Sequence, residues 1–183
     1  MAETLRNQGR RHFLSLAAGS AAALIVAPAI ATPRFETRRA LAFDNLHTGE
    51  KLNLVYWTES GYEPEALQRI DWLLRDFRTG TTHPIDPRLL DLLAALNRRL
   101  DTREPYLVYS GYRSPETNAM LAEESEGVAK NSLHLQGQAV DLRVPGRRLG
   151  LLRRAALSLK GGGVGYYPRS NFVHLDVGRV RHW

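Results

Sequence analysis

The segment Ser132-Leu-His-Leu-Gln-Gly-Gln-Ala-Val-Asp141 sets an imidazole and a carboxylate seven positions apart, and Asn171-Phe-Val-His-Leu-Asp176, thirty residues further on, adds a second imidazole. His134, Asp141 and His174 form a donor set for a catalytic zinc, which takes about three protein ligands from neutral imidazole and carboxylate and leaves a fourth position to water. Such an ion polarises an amide carbonyl and brings the pKa of that water toward about 7, so the chemistry on offer is hydrolysis near neutral pH. A lone histidine on a strand is more often a hydrogen-bonded structural residue, and the pattern is not H-E-x-x-H. Spacing alone leaves both readings open.

Bringing three such groups together makes demands on the chain. On one uninterrupted strand His134 and Asp141 would face opposite sides, because side chains alternate with period two. Gly137 lies between them and permits a bend or bulge that turns His134 back, while Gln138 to Val144 continues as a short strand ending at Pro145-Gly146. Phe172 to Val177 alternates, so Phe172, His174 and Asp176 share one face and Val173, Leu175 and Val177 the other. Hydrolysis also needs a proton carrier. Asp176, on the face of His174, is the nearest carboxylate for that work, and it is equally placed to accept a hydrogen bond from a ligand's free ring nitrogen. Ser132 is placed to fix His134 by a hydrogen bond, and His182, beside Trp183, stays outside the catalytic set because terminal residues often fray.

The supporting elements follow from periodicity. Leu41–Asn45 and Leu52–Trp57 read as a hairpin around His47-Thr-Gly49, with His47 a turn residue whose ordinary role is structural. Leu67, Ile70, Leu73, Leu74 and Phe77 predict an amphipathic helix over Glu65–Arg78. Asp86 as N-cap and Pro87 at the first helical position open a second helix, with leucines at 89, 90, 92, 93, 96 and 100 as core. Tyr106–Ser110 reads as a strand ending in the turn Gly111-Tyr-Arg-Ser-Pro115, where Arg113 is by default a solvated residue. A short helix to Glu124 follows with Asn118 and Leu121 inward and Glu123, Glu124 and Glu126 solvated. Another helix spans Arg147–Leu159 and is closed by Gly161-Gly-Gly163, which follows a helix and lacks a succeeding Lys-Ser/Thr, so it is a cap and not a phosphate loop. Thr32–Ala40 is charged and aperiodic, and no structure is expected there.

With 183 residues and an apolar fraction of 43%, the chain has room for one packed domain. The absence of cysteine removes disulfides, thiolate metal sites and a cysteine nucleophile. A net charge of +6 raises nucleic acid as a partner, but the basic residues are spread out and none of their runs is interleaved with stacking aromatics, which excludes that class. A mildly basic exported protein suits an anionic polymer such as cell wall. Export is written into residues 1–31: Arg10-Arg11, an alanine-rich apolar run through Ala27, and a small-x-small site at Ala29-Ile-Ala31 resemble a twin-arginine signal. Phe13–Ala27 is fifteen residues, short of the ~20 a membrane span needs. Cleavage after Ala31 is therefore expected, leaving no stable membrane anchor and a domain of residues 32–183 in the periplasm.

The motif S-x-H-x-x-G-x-A-x-D with a distal histidine resembles the zinc signature of the D-Ala-D-Ala metallopeptidase group, which also includes lysostaphin-type enzymes and the amino-terminal domain of hedgehog proteins. More closely, the chain resembles the murein endopeptidase K family, along Asn45-Leu-His-Thr-Gly-Glu50, Leu74-Arg-Asp-Phe-Arg78, Ser110-Gly-Tyr-Arg-Ser-Pro115, Gly162-Gly-Val-Gly-Tyr-Tyr-Pro168 and Arg179-Val-Arg-His-Trp183. The resemblance implies an α+β fold with a small antiparallel sheet carrying a zinc cleft and helices packed around it. It further implies hydrolysis of peptide cross-links in peptidoglycan stems, including those joining two diaminopimelate residues. It turns Arg113 into a cleft arginine that holds substrate carboxylate or developing oxyanion charge, a task suited to the guanidinium fork. One departure stands out: many relatives of the wider group carry Glu or Asp three residues before the second histidine ligand, where this chain has Asn171. That departure gives weight to a second reading, a non-catalytic, zinc-stabilised wall-binding module.

Overall fold

The computed structural model describes residues 36–124 and 129–183, so the leader and its cleavage site, Thr32–Phe35 and Glu126 lie outside the described residues. Arg38–Asn45 (β1) and Lys51–Thr58 (β2) form the expected antiparallel hairpin, whose turn is closed by the Asn45 side-chain oxygen accepting the N–H of His47 at 2.9 Å and of Thr48 at 3.2 Å. β1 begins at Arg38, inside the stretch expected to lack structure. Pairing with Trp57 and Thr58, and the 2.7 Å ion pair of Arg39 with Asp91, supply order there that local composition does not reveal.

Gly61–Tyr62 (β3) extends the hairpin edge before Pro64–Leu73 (α1) and Pro87–Leu100 (α2). α2 starts as its sequence dictates, with Asp86 accepting from the N–H of Arg88 at 3.0 Å and proline at the first position. α1 stops at Leu73, short of the predicted Arg78, because the segment after it folds back, with the Asp76 carboxylate accepting the N–H of Arg78 and Gly80 N–H donating to the Asp76 carbonyl. Leu74 is nonetheless fully buried, so its apolar spacing reflects core packing and not helix.

Tyr106–Ser110 (β4), Pro115–Glu124 (α3), Ala139–Arg143 (β5), Leu149–Leu159 (α4), Gly163–Tyr167 (β6), Phe172–Asp176 (β7) and Arg181–His182 (β8) complete the described elements. The sheet has eight strands in the order β3-β2-β1-β4-β5-β7-β6-β8. This corrects the expectation of a small antiparallel sheet: β1 pairs with β4, and β6 with β8, in parallel. Hydrophobic alternation states which face of a strand is buried and says nothing of its neighbour's direction. The chain leaves the hairpin, traverses α1 and α2, and returns as β4, and such a long crossover allows parallel pairing that a short turn forbids.

One face of the sheet is covered by helices. Ile70 and Leu73 of α1, Leu89, Leu93 and Leu96 of α2 and Leu152 of α4 close over Phe43, Tyr106, Val140, Leu142, Val173 and Leu175 in a single core. Full burial of each such side chain contributes about 1.5–3 kcal/mol, and this core is the frame on which the opposite face is held. Among the described residues no helix is long and apolar enough to cross a membrane.

Candidate metal centre

β5 and β7 are antiparallel neighbours with Asp141 opposite His174 and Ala139 opposite Asp176. Alternation sends Val140, Leu142, Val173 and Leu175 into the helix-covered core and leaves the carboxylates and the imidazole on the other face. On its second side His174 is paired with Gly165 of β6, where a Cβ would collide with the indole of Trp183. His134 arrives on a 3-10 turn, Leu133–Gln136, and not on a bent strand. Gly137 ends that turn at φ 65°, a left-handed conformation that disfavours a side chain, and a Cβ there would also meet the carbonyl of Pro84. Ser132 fixes the turn by accepting the backbone N–H of His134 at 3.3 Å and does not touch the ring.

The structure brings His134, Asp141 and His174 together as a buried group. Nε2 of His134 is 3.1 Å from Nδ1 of His174 and 3.3 Å from Oδ1 of Asp141, which is 2.9 Å from Nδ1 of His174. Each ring is held from behind. Nδ1–H of His134 donates to the Gly111 carbonyl at 2.6 Å, and Nε2–H of His174 donates to Oδ2 of Asp176 at 3.1 Å. These two acceptors assign the tautomers, and they leave one lone pair on each ring pointing at Asp141. With both rings neutral, three electron-pair donors converge with no hydrogen of their own to share. Atoms bound about 2.0–2.2 Å from one ion at tetrahedral angles stand roughly 3.3 Å apart, so the triangle fits a small divalent cation in both donor chemistry and size.

The electrostatics point the same way. Burial opposes charge on His174, but the carboxylates of Asp141 and Asp176 outweigh it and raise the ring to about 9. Burial dominates at His134 and lowers its pKa, against the pull of Asp141. Burial would raise Asp141, yet the two imidazoles hold it far below the usual carboxylate range. The cluster demands positive charge at its centre, and a divalent ion meets that demand with both rings neutral.

Asp176 lies on the far side of His174. Its two oxygens accept from Nε2–H of His174, the backbone N–H groups of Gly163 and Gly178, and both Nη atoms of Arg181. Burial works against ionisation, but these donors keep it a carboxylate well below its ordinary range. The position favours orienting His174 over carrying a proton. Arg113 reaches the same cleft with its guanidinium loosely engaged, Nη2 being 3.5 Å from Asp141 and Nη1 3.4 Å from Asn118, while Nε has no partner among the described residues.

Other sequence candidates are not brought here. His47 stacks on Phe77 with ring centres 3.8 Å apart and bonds the Tyr109 carbonyl at 2.9 Å, His182 is exposed on β8, and Asn171 adopts φ 59° in the β6–β7 turn away from the cleft. The cleft beside the triad encloses about 260 Å³, with Tyr167, Phe172, Arg181 and Trp183 along its wall. A larger recess of about 910 Å³, between β1 and α2, holds no such donor group. Sequence reading missed the Gly111 carbonyl, which no side-chain pattern can signal. It also missed Trp183, whose one signal was its place in the closing Arg-His-Trp of a matched motif.

Comparison with known proteins adds an independent line. The family model described as Peptidoglycan L,D-endopeptidase MepK matches residues 34–183. Peptidoglycan L,D-endopeptidase MepK of Escherichia coli strain K12 is 46% identical to this chain, over 95% of the chain and 96% of the relative. The protein of that name from Shigella flexneri gives the same figures. The probable peptidoglycan L,D-endopeptidase MepK of Haemophilus influenzae is 41% identical, over 97% of the chain and 96% of the relative.

Proposed function

The chain belongs to the family of the peptidoglycan L,D-endopeptidase MepK, and on that premise we propose that it hydrolyses peptide cross-links of peptidoglycan with a zinc ion held by His134, Asp141 and His174. The convergence of two imidazoles and one carboxylate within 2.9–3.3 Å of one another carries this reading. A divalent ion there supplies Lewis-acid polarisation of the scissile carbonyl and an activated water.

The chain's own residues do the rest. Gly111 and Asp176 fix the tautomer and angle of each histidine from behind, so that both rings present a lone pair. Arg113, buried beside Asp141 with an Nε that has no partner among the described residues, offers its fork to substrate carboxylate or to the oxygen that gains negative charge during hydrolysis. Trp183, tied to Tyr167 by a 2.7 Å bond from its indole N–H, and Phe172, stacked on Tyr167, form a wall that excludes water beside His174. Links between two diaminopimelate residues are the proposed substrate. Work on the wall calls for export, and Arg10-Arg11 with the site at Ala29-Ile-Ala31 support a twin-arginine route to the periplasm.

Incubating the purified, zinc-loaded protein with cross-linked muropeptides and following products by mass spectrometry tests this reading. New amines that appear with zinc and vanish with chelator are expected. Binding without cleavage would instead establish the wall-binding module.

A further inference from the structure

The loop after α1 has a buried carboxylate that the reaction does not use directly. Asp76 is 2% exposed, in a segment closed on itself by Asp76 N–H to the Thr81 carbonyl at 3.0 Å and Gly80 N–H to the Asp76 carbonyl at 2.8 Å. Oδ1 accepts the N–H of Arg78 at 2.9 Å, and Oδ2 reaches 38 positions along the chain to the N–H of Ser114, also at 2.9 Å. The side chains of Ser114 and Thr117 lie beside the same carboxylate and favour its charged form. Ser114 and Thr117 are themselves buried, and α3 begins at Pro115, so the charge sits where the first turn of a helix presents free N–H groups.

Ser114 is the residue next to Arg113. On the other flank of Arg113, Tyr112 N–H donates to the Leu74 carbonyl at 2.7 Å, from the same loop. The Arg113 N–H meets the His134 carbonyl at 3.2 Å. The backbone of Arg113 is therefore clamped on both sides, whereas among the described residues its guanidinium has only the two long contacts at 3.4 and 3.5 Å. What places the guanidinium in the cleft is its mount and not its side-chain partners.

We propose that Asp76 is a positioning residue for the reaction: its carboxylate fixes the turn that carries Arg113 and so sets where the guanidinium meets the substrate. The proposal rests on the role given to Arg113 above. It accounts for Leu74-Arg-Asp-Phe-Arg78, a segment that no part of the metal site explains. Asp76→Asn keeps the shape but exchanges an accepting oxygen for an amide that donates. Whichever way that amide turns, it faces donors that already point at it.

A double-mutant cycle on kcat/KM with a diaminopimelate-linked muropeptide tests the idea in the zinc-loaded protein. Asp76→Asn is expected to lower kcat/KM by roughly 10- to 100-fold, the effect of losing a supporting hydrogen-bond partner at a site. In the Arg113→Ala background the same change is expected to do almost nothing, because residues acting as a unit are not additive. The ¹⁵N relaxation of Arg113 Nε should report a more mobile guanidinium in Asp76→Asn and not in Asp71→Asn, a control whose carboxylate accepts the N–H of Ile85. Thr117→Val removes a hydroxyl beside the carboxylate, a gentler change, and should give a loss of about threefold, again absent without Arg113. Losses that multiply, or full activity in both Asp76→Asn and Thr117→Val beside an impaired Arg113→Ala, would overturn the proposal. Full activity in Arg113→Ala would remove the role of Arg113 itself, and the proposal with it.

Discussion

His134 and His174 bring a ring nitrogen to the same point by opposite routes. His134 comes from a 3-10 turn, offers Nε2, and is held by a neutral backbone carbonyl, whereas His174 comes from a central strand, offers Nδ1, and is held by a carboxylate. A carbonyl fixes direction without adding charge. A carboxylate fixes direction and also makes the ring more basic: Asp176 joins Asp141 in raising His174 to about 9 against burial, whereas at His134, which has Asp141 alone, burial wins. The turn side of the site is thus governed by backbone geometry and the strand side by charge. The two should fail differently.

The largest effect should be common to both sides. His134→Ala and His174→Ala each remove a donor from the proposed ion and should weaken zinc binding by more than ~100-fold, beyond what loss of a supporting partner costs. Competition against a chelator of known affinity measures this, and a large loss in only one variant would break the symmetry of the ligand set.

Asp176→Asn separates the sides. Loss of the carboxylate behind His174 should reduce zinc affinity by about 10- to 100-fold while the ion is still bound. Wild-type affinity in that variant would show that charge behind the ring is immaterial.

The turn side is reached through the backbone. Gly137→Ala forces a side chain into φ 65° and against Pro84, so it should lower stability by about 1–3 kcal/mol in thermal or urea unfolding. An unchanged midpoint would mean that the turn does not need its glycine.

The smallest effect is the acid profile. Donors around Asp76 outweigh burial and hold it at about 2, below the ordinary unfolded value of roughly 3.9, so its contribution is complete above the unfolded value and is lost as pH falls through about 2. Asp76→Asn should flatten that part of the stability curve by about 1–2 kcal/mol. Parallel acid curves for Asp76→Asn and the unmodified chain would contradict this.

The same contrast explains what the sequence disclosed. Alternation through Phe172–Asp176 determines which side chains share a face, so His174 and Asp176 were legible as companions, whereas the meeting of Asp141 with His174 depends on the pairing of β5 with β7. The helix start at Asp86-Pro87 was equally plain, since its signal is local. The parallel pairing of β1 with β4 was not, because strand direction depends on how the chain returns over α1 and α2. Nor was the end of α1, where Leu74 keeps apolar spacing outside the helix. The Gly111 carbonyl belongs to every residue type alike, and only the approach of His134 gives it a role. Asn171 read as a missing carboxylate, but it occupies a left-handed turn position that asparagine tolerates well.

X-ray absorption at the zinc edge on the purified, zinc-loaded protein tests the central claim most directly. One ion per chain with two imidazole nitrogens and a carboxylate oxygen at about 2.0–2.2 Å is expected, with the imidazole signal halved in His134→Ala. A full complement of zinc whose spectrum lacks imidazole, or that keeps both imidazoles in His134→Ala or in His174→Ala, would contradict it.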